Sequence, residues 1–212
     1  MRGRESHGHT PPRLVEVKAW QAARLARTYA DLDADPRYNM ATEFFLDDLY
    51  GAKDFSGRDE AMLRIYPVMV RTLPEAAVET AALAIEVDAL SEELDRRVAA
   101  ALEDGPITDA SYGRVYRKVG TRAERMRQIE LIDEVGRRLD ALVVKPWIFT
   151  TLKLMRGPAK LAGLQDLQTF LERGFAAFRH MGGADHFLAT IDGRETQILT
   201  RLFSGHPSPF SG

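Results

Sequence analysis

Hydrophobic residues recur along most of this chain at steps of three and four, and polar residues fill the positions between them. This period is that of an α-helix with one buried face. One such stripe joins Leu164, Leu167, Leu171, Phe175 and Phe178. The only β-like run, ALVVKPWIF, is interrupted by a proline, and no alternating run bounded by turns predicts a strand. The pattern therefore predicts an all-α protein.

The turn-forming residues divide the chain into a single-domain irregular helical bundle of about eight helices. We expect a flexible N-terminal arm at residues 1–11, an all-helical domain at 12–204 and a flexible tail at 205–212. Residues 74–103 form one long helix or two, because Ser91 with two glutamates is also typical of a restart. Proline placement and a capping box predict further helices from Pro146 and over residues 121–143.

The densest combination of aromatic, acidic and turn-forming residues lies at positions 37–71. It predicts two helices joined by a tight turn, with Gly51 ending the first helix in the left-handed conformation. Pro67 interrupts the second helix and predicts a kink or a restart. We expect the other helices to pack around this hairpin, and Phe44 or Phe45 to be deeply buried.

Several segments resemble those of a known family. FFLDDLYG, KDFSGRD and the proline-interrupted helix after them are similar to an uncharacterised bacterial all-helical family of unknown function with an FFL-x-DLYG…DF-x-x-RD motif. The likeness continues through LSEELD at 90–95, YRKVG, and LERGFAAFRHMGGADHFL at 171–188, and so covers most of the chain. The resemblance implies an all-helical fold. It implies no activity, and it supplies no catalytic residues.

Composition narrows the classes of function. The 212 residues carry a formal net charge of -2, which gives no overall electrostatic reason to bind nucleic acid. The chain has no cysteine, which excludes disulfides, cysteine-ligated zinc and thiol catalysis. No apolar run approaches the roughly 20 residues of a membrane span, and the N-terminus lacks the apolar core of a secretory signal. We expect a cytoplasmic protein with neither a membrane nor a nucleic acid as partner.

The hairpin also holds an acidic group. Its members are Glu43, Asp47, Asp48, Asp54 and Asp59, with Tyr50, Lys53 and Arg58 nearby. Carboxylates one helical turn apart can bind a hard cation or act as acid and base. The favoured interpretation is a solvated helix face with two caps and local ion pairs. The Glu-x-x-His signature of di-iron bundles is absent from the sequence, which argues against a ferritin-like centre.

A second group surrounds a double glycine near the C-terminus. Arg179, His180 and His186 flank the sequence MGGAD, and two imidazoles can bind a metal or a haem iron. No companion ligand motif completes such a site. We therefore interpret both histidines as exposed or satisfied residues at a helix junction, and we expect no metal or cofactor.

A third feature combines basic residues with tyrosines. Arg114, Arg117, Lys118, Arg122, Arg125 and Arg127 are interleaved with Tyr112 and Tyr116. This pattern is typical of a phosphate-lined surface or, as we prefer, of long basic side chains covering a helix face.

A single acidic residue interrupts the apolar stripe of the last helix. Glu195 falls on the line formed by Leu188, Ile191, Ile198 and Leu202. If that face is buried, Glu195 requires an arginine partner, because an unpaired buried charge is costly.

These observations favour a non-enzymatic helical module that acts through protein association, as a homodimer. One alternative is a protein that binds a small molecule or a haem-like cofactor in a pocket walled by Phe44, Phe45, Trp147 and Phe175. The other is a metal-assisted enzyme that uses the acidic hairpin. The candidate ligand-binding residues are Phe44, Phe45, Tyr50, Asp54, Arg58, Asp59, Trp147, Phe175 and Arg179.

Overall fold

The computed structural model of the chain describes residues 11–49, 74–161, 163 and 165–211. The N-terminal arm and the second half of the expected hairpin lie outside these residues. The described α-helices are α1 (Pro12–Thr28), α2 (Ala30–Ala34), α3 (Asn39–Glu43), α4 (Glu75–Ala101), α5 (Asp109–Val119), α6 (Arg122–Val143), α7 (Pro146–Leu154), α8 (Arg156–Leu161), α9 (Gln165–Met181) and α10 (Asp185–Ser204). A π-helix follows α3 at Phe44–Leu49. These ranges contain no strand, and the expected all-α single domain is confirmed.

Local sequence explains where several helices begin and end. At the start of α6 the Thr121 side chain accepts from the Glu124 backbone N–H, and the Glu124 carboxylate accepts from the Thr121 backbone N–H. This capping box satisfies two groups that the helix itself leaves unpaired. Gly205 ends α10 in the left-handed conformation, with a φ of 74°.

The structure answers one question that the sequence leaves open and shows two further features of the helices. Residues 74–103, left open as one helix or two, contain the single uninterrupted helix α4. The first helix ends at Thr28, and α2 follows after Tyr29, whose φ of -114° and ψ of 20° interrupt the helix. The stretch around Pro158 forms the short helix α8. Proline is compatible with a first turn because its missing N–H has no intrahelical partner there.

Helix α6 lies against α4 and α10, while α1 packs mainly against α4 and also contacts the π-helix. The approach of α6 to α10 depends on Gly136. A Cβ atom at this position would lie 2.4 Å from Leu188 Cδ2, well inside van der Waals contact. Glycine therefore permits these two helices to pack at close range.

The larger hydrophobic cluster forms around Phe44. Phe44 is 5 % exposed, and its ring centroid lies 5.1 Å from that of Phe170. A Cβ atom on Gly174 would lie 2.7 Å from Phe44 Cζ, so the missing side chain makes room for the aromatic ring. The expectation that Phe44 or Phe45 is deeply buried is confirmed.

A smaller cluster is built on Val17, Val98 and Tyr112. The segment after α10, for which the sequence predicts flexibility, places Phe210 against this cluster, 5.5 Å from the Trp20 ring. The described helices include none with both the length and the apolar character needed to cross a membrane.

We predict that Phe44→Ala destabilises the fold by about 3–5 kcal/mol, because it removes buried apolar surface and leaves a cavity beside Gly174. Asp47→Ala is the control, since Asp47 is exposed on the same segment and its loss is expected to change stability by no more than about 0.5 kcal/mol. Urea unfolding of the two variants measures both values. Equal stability of Phe44→Ala and the unmodified chain would contradict the assignment of Phe44 to the core.

Candidate functional site

A cavity of about 70 Å³ lies among α1, α5, α6 and α10, with the π-helix at one side. Its polar lining residues are Gln21, Arg24, Tyr29, Thr42, Tyr112, Tyr116, Arg125, Gln128 and Glu195. Its apolar lining residues are Leu25, Phe45, Leu46, Ile129, Ile132, Phe187, Ile191, Ile198, Leu202 and Phe210. Charged, aromatic and aliphatic side chains thus share this interior space. We call the space that these residues line the interior cavity.

One side of the interior cavity is an ion pair between α1 and α10. Arg24 Nη1 donates to Glu195 Oε1 over 2.5 Å, and the Tyr29 hydroxyl donates to the same oxygen over 2.7 Å. Burial by itself lowers the pKa of Arg24, but the Glu195 carboxylate outweighs that effect and raises it. Arg24 therefore stays charged, and the expected arginine partner of Glu195 is confirmed.

A hydrogen bond links this pair to the aromatic cluster. Gln21 Nε2 donates to the Tyr112 hydroxyl over 2.5 Å, and the Gln21 side-chain oxygen accepts from Arg24 Nη2 over 3.3 Å. Tyr112 stacks on Trp20 with ring centroids 4.3 Å apart. Burial raises the pKa of Tyr112 and raises that of Tyr116 to about 12, so both phenols are neutral hydrogen-bonding groups.

Arg125 enters the interior cavity from the first turns of α6. Its side chain is almost completely buried, and its guanidinium carbon lies 4.1 Å from the centre of the Tyr116 ring, a cation–π contact. Gly120 permits this placement, since a Cβ atom there would lie 3.2 Å from Arg125 Nε. The Nε and Nη2 atoms of Arg125 have no hydrogen-bond partner in the part of the chain that the structure describes.

Asp95 on α4 lies within electrostatic reach of Arg125. Burial raises the pKa of Asp95 to about 6, and the positive charges of Arg125 and Lys18 oppose that rise. Lys18 is itself paired with Glu92. The carboxyl group of Asp95 therefore gains and loses its proton much closer to neutrality than an exposed aspartate does.

Of the four aromatic residues expected to wall one pocket, Phe44 and Phe175 belong to the larger cluster, Phe45 packs against it, and Trp147 lies apart from it. Phe45 lines the interior cavity, whereas Phe44 is buried in the larger cluster. Phe175 stacks on Phe149 with centroids 5.3 Å apart, and Trp147 is exposed outside the interior cavity. Their assignment as ligand-binding residues stays a prediction.

The remaining candidates are placed as follows. Arg179 lies over the Phe149 ring, 5.3 Å from its centroid. Tyr50, Asp54, Arg58 and Asp59 lie outside the described residues. Glu43 and Asp47, from the acidic group, are exposed. Within the described ranges no three histidine or acidic side chains are grouped so that they would hold a metal ion.

The two histidines beside the double glycine are exposed. His180 Nε2 lies 2.9 Å from the backbone oxygen of Pro36, and the His186 ring lies 5.7 Å from that of Tyr38. Each imidazole thus contacts the connection between α2 and α3, as expected for histidines at a helix junction.

The basic stretch of α5 and α6 divides into surface residues and one interior residue. Arg117 Nη1 donates to the backbone oxygen of Leu202 over 2.9 Å, and Arg127 pairs with Glu86 over 3.0 Å. Arg125 alone among its six basic residues is buried. Tyr112, Tyr116 and Arg125, grouped by the sequence for another reason, therefore meet in one interior site.

Sequence reasoning missed three polar residues, namely Gln21 and Arg24, which line the interior cavity, and Asp95, which interacts electrostatically with Arg125. A signal was present for two of them. Val17, Gln21 and Arg24 follow one another at steps of four and three, so the polar pair continues the buried stripe of α1. A glutamine and an arginine on an apolar stripe indicate an interior polar network, as Glu195 does on α10.

The model of a protein family described as Domain of unknown function (DUF8198) matches residues 1–209. No curated protein and no solved structure matches the chain. The match confirms the sequence-based resemblance at the level of an uncharacterised family of unknown function, and it attaches no activity to the interior cavity.

We predict that Arg24→Met costs about 3–5 kcal/mol of stability, because it leaves the Glu195 carboxylate buried without its cation. The double variant Arg24→Met/Glu195→Leu is expected to recover most of this loss, since it removes both charges and fills the space with apolar groups. Urea unfolding of the single and double variants gives the coupling free energy. If the stability loss of the double variant equals the sum of the losses of the two single variants, Arg24 and Glu195 do not stabilise each other.

We predict that Asp95 makes stability depend on pH. Its raised pKa means that the folded chain keeps a proton that the unfolded chain has already released. The contribution of Asp95 to the free energy of unfolding should therefore fall between about pH 4 and pH 6 and stay constant above that window. Asn cannot titrate, so the difference in unfolding free energy between the unmodified chain and Asp95→Asn isolates this effect. A difference that is flat from pH 4 to pH 7 would contradict the raised pKa.

Proposed function

We propose that this chain, which belongs to the family described as Domain of unknown function (DUF8198), acts through association with a second copy of itself. The proposal depends on a surface formed by Val144, in the turn before α7, and by Trp147, Thr150, Thr151 and Leu154 on that helix. We call this set the α7 face. We also propose, from the sequence alone, that the protein is bacterial and cytoplasmic and that its family carries the FFL-x-DLYG…DF-x-x-RD motif.

The α7 face carries the most exposed large hydrophobic side chains of the described residues. Val144 is 72 % exposed, Trp147 52 % and Leu154 73 %. Trp147, Thr151 and Leu154 follow one another at steps of four and three, which places them along one side of α7. Val144 lies in the turn just before this helix. A contiguous apolar stripe in water is typical of a protein–protein contact, whereas single exposed apolar residues are ordinary.

The polar members of the α7 face favour burial against another protein. The Thr150 hydroxyl donates to the backbone oxygen of Pro146, and the Thr151 hydroxyl donates to that of Trp147. Both hydroxyls therefore keep a hydrogen bond when water is removed, which reduces the cost of burying them.

Charge favours a second copy as the occupant. None of the five residues of the α7 face is charged, so a twofold contact centred on them brings apolar and hydroxyl side chains together, with the exposed Lys145 and Lys153 at its edge. The nearby Lys153 ammonium lies over the Phe149 ring, 4.3 Å from its centroid, beside the separate groove that Arg156 and Glu172 line. Tryptophan is also enriched among the residues that dominate interface energies.

We predict that light scattering over a dilution series shows a mass near twice 23.8 kDa at high concentration, falling toward 23.8 kDa on dilution. Trp147→Glu is expected to weaken dimerisation by at least about tenfold, because a buried tryptophan anchor contributes about 2 kcal/mol or more.

Ile85→Glu is the matched control. Ile85 is another exposed large hydrophobic residue, on α4, and its replacement should leave dimerisation unchanged. Circular dichroism verifies that both variants retain their helices. A mass that stays at 23.8 kDa at every concentration, or a Trp147→Glu variant that dimerises like the unmodified chain, would overturn the proposal.

A further inference from the structure

An open groove with basic residues along its walls lies between α9 and the pair of helices that precede it. Phe149, Lys153, Arg156 and Lys160 follow one another at steps of four, three and four along α7 and α8 and form one wall. Residues of α9 form the other wall, namely Gln165, Gln168, Thr169, Glu172, Arg173 and Ala176. We call the space between these walls the basic groove.

The charge of the basic groove is opposite in sign to that of the whole chain. Four of its ten lining residues are basic, and Glu172 is the only acidic one among them. The chain carries a formal net charge of -2. Lys153 and Lys160 are exposed, and neither forms an ion pair with a residue that the structure describes. The groove therefore concentrates positive charge that its own lining does not neutralise, and the matching ligand is an anion.

Arg156 is held in a fixed orientation on the basic wall. Its Nε donates to Glu172 Oε1 over 2.6 Å and its Nη2 donates to Glu172 Oε2, so the two groups form a bidentate ion pair. Gln168 is buried, and its Nε2 donates to Glu172 Oε1 and to the backbone oxygen of Leu152, each over 2.7 Å. A buried amide thus fixes the carboxylate, and the carboxylate fixes the arginine. Such support restricts the motion that an exposed arginine otherwise has.

The size of the basic groove and its neutral residues describe the rest of the ligand. Its volume of about 660 Å³ falls within the range of roughly 300–1,000 Å³ that is typical of small-molecule pockets. Phe149 and Ala176 supply apolar surface, and Gln165 and Thr169 supply neutral hydrogen-bonding groups. A matching ligand therefore carries an uncharged organic part beside its anionic group.

The number and type of the cations favour a phosphate group over a carboxylate. Lysine binds phosphate as a point charge, and arginine supplies donors that match phosphate oxygens. Glu172 neutralises Arg156, which leaves the charges of Lys153, Lys160 and Arg173 in excess. A carboxylate balances one of these charges, whereas a phosphate monoester carries about -1.5 to -2 near neutral pH and balances more of them.

We propose that the basic groove binds a phosphorylated small molecule, with its phosphate group bound by Lys153, Arg156 and Lys160. The organic part of the ligand contacts Phe149 and Thr169. None of the five residues of the α7 face lines this groove, so dimerisation and phosphate binding can succeed or fail separately.

The test uses the full chain in a phosphate-free chloride buffer at an ionic strength of about 0.15 M, where weak long-range attraction is screened. Adenosine 5′-monophosphate and ribose 5-phosphate are titrated by calorimetry, together with adenosine, ribose and citrate. The expected result is saturable binding of at least one phosphate, about tenfold or more tighter than its unphosphorylated parent and than citrate. Equal binding of the parent, tighter binding of citrate, or binding of no probe would overturn the proposal.

Two further probes distinguish a small molecule from a larger source of phosphate. A DNA duplex and vesicles that contain phosphatidic acid are titrated in the same buffer. Both are expected to bind more weakly than the better of the two small phosphates. Tighter binding of either one would assign the groove to a nucleic acid or to a membrane surface and would overturn the proposal.

Variants locate the site. Lys160→Met removes one of the lysines without an ion pair, and it should weaken phosphate binding by about tenfold. Lys118→Met is the matched control, because Lys118 is an exposed lysine on α5 outside the basic groove, and it should bind like the unmodified chain. Arg156→Lys keeps the charge but cannot form the bidentate pair with Glu172, and it should also weaken binding by about tenfold.

All three substituted residues are exposed, so the variants are expected to fold, and circular dichroism verifies this. Unchanged binding by Lys160→Met would overturn the location of the site. Unchanged binding by Arg156→Lys would overturn the role of the fixed arginine. Equal weakening by Lys118→Met would show that only the overall charge of the chain matters, which also overturns the proposal.

Discussion

The buried ion pair between Arg24 and Glu195 is the interaction on which the interior of this protein depends. It connects the first long helix to the last, across 171 positions of sequence. A carboxylate removed from water requires a cation and further hydrogen bonds, and both requirements are met here by residues of the first third of the chain. The positions of Tyr29 and Gln21 follow from it, because each donates to or accepts from one member of the pair.

A second buried arginine, Arg125 on α6, belongs to the same polar interior. Arg125 lies against an aromatic face and beside a glycine, and its Nε and Nη2 atoms have no hydrogen-bond partner among the described residues. A fully apolar core would be more stable in such a place, and polar groups with open donors are characteristic of binding sites. The α7 face differs in kind, since its apolar groups are on the surface and its polar groups are internally satisfied.

Much of the fold was predictable from the sequence, because helix period, proline position and capping are local properties. Thr121 and Glu124 determine the start of α6 within one turn, and Glu195 on an apolar stripe predicts an arginine partner. The identity of that partner was not predictable, because Arg24 is brought to Glu195 only by the packing of α1 against the bundle. Arg125 was grouped with surface cations for the same reason. The glycine that permits its burial and the tyrosine that faces it have no local signature of an interior site.

The π-helix at Phe44–Leu49 has a consequence for comparisons within the family. A π-turn contains one more residue than an α-turn, so this segment corresponds to a single-residue insertion that the helix absorbs. Phe44 is fixed in the larger cluster, and Phe45 and Leu46 reach the interior cavity from the widened turn. A relative that lacks one residue here would continue as a regular α-helix, and the side chains after the gap would rotate by about 100° per residue around the axis. A one-residue alignment gap at FFLDDL would therefore divide the family into members that keep these two walls of the interior cavity and members that do not.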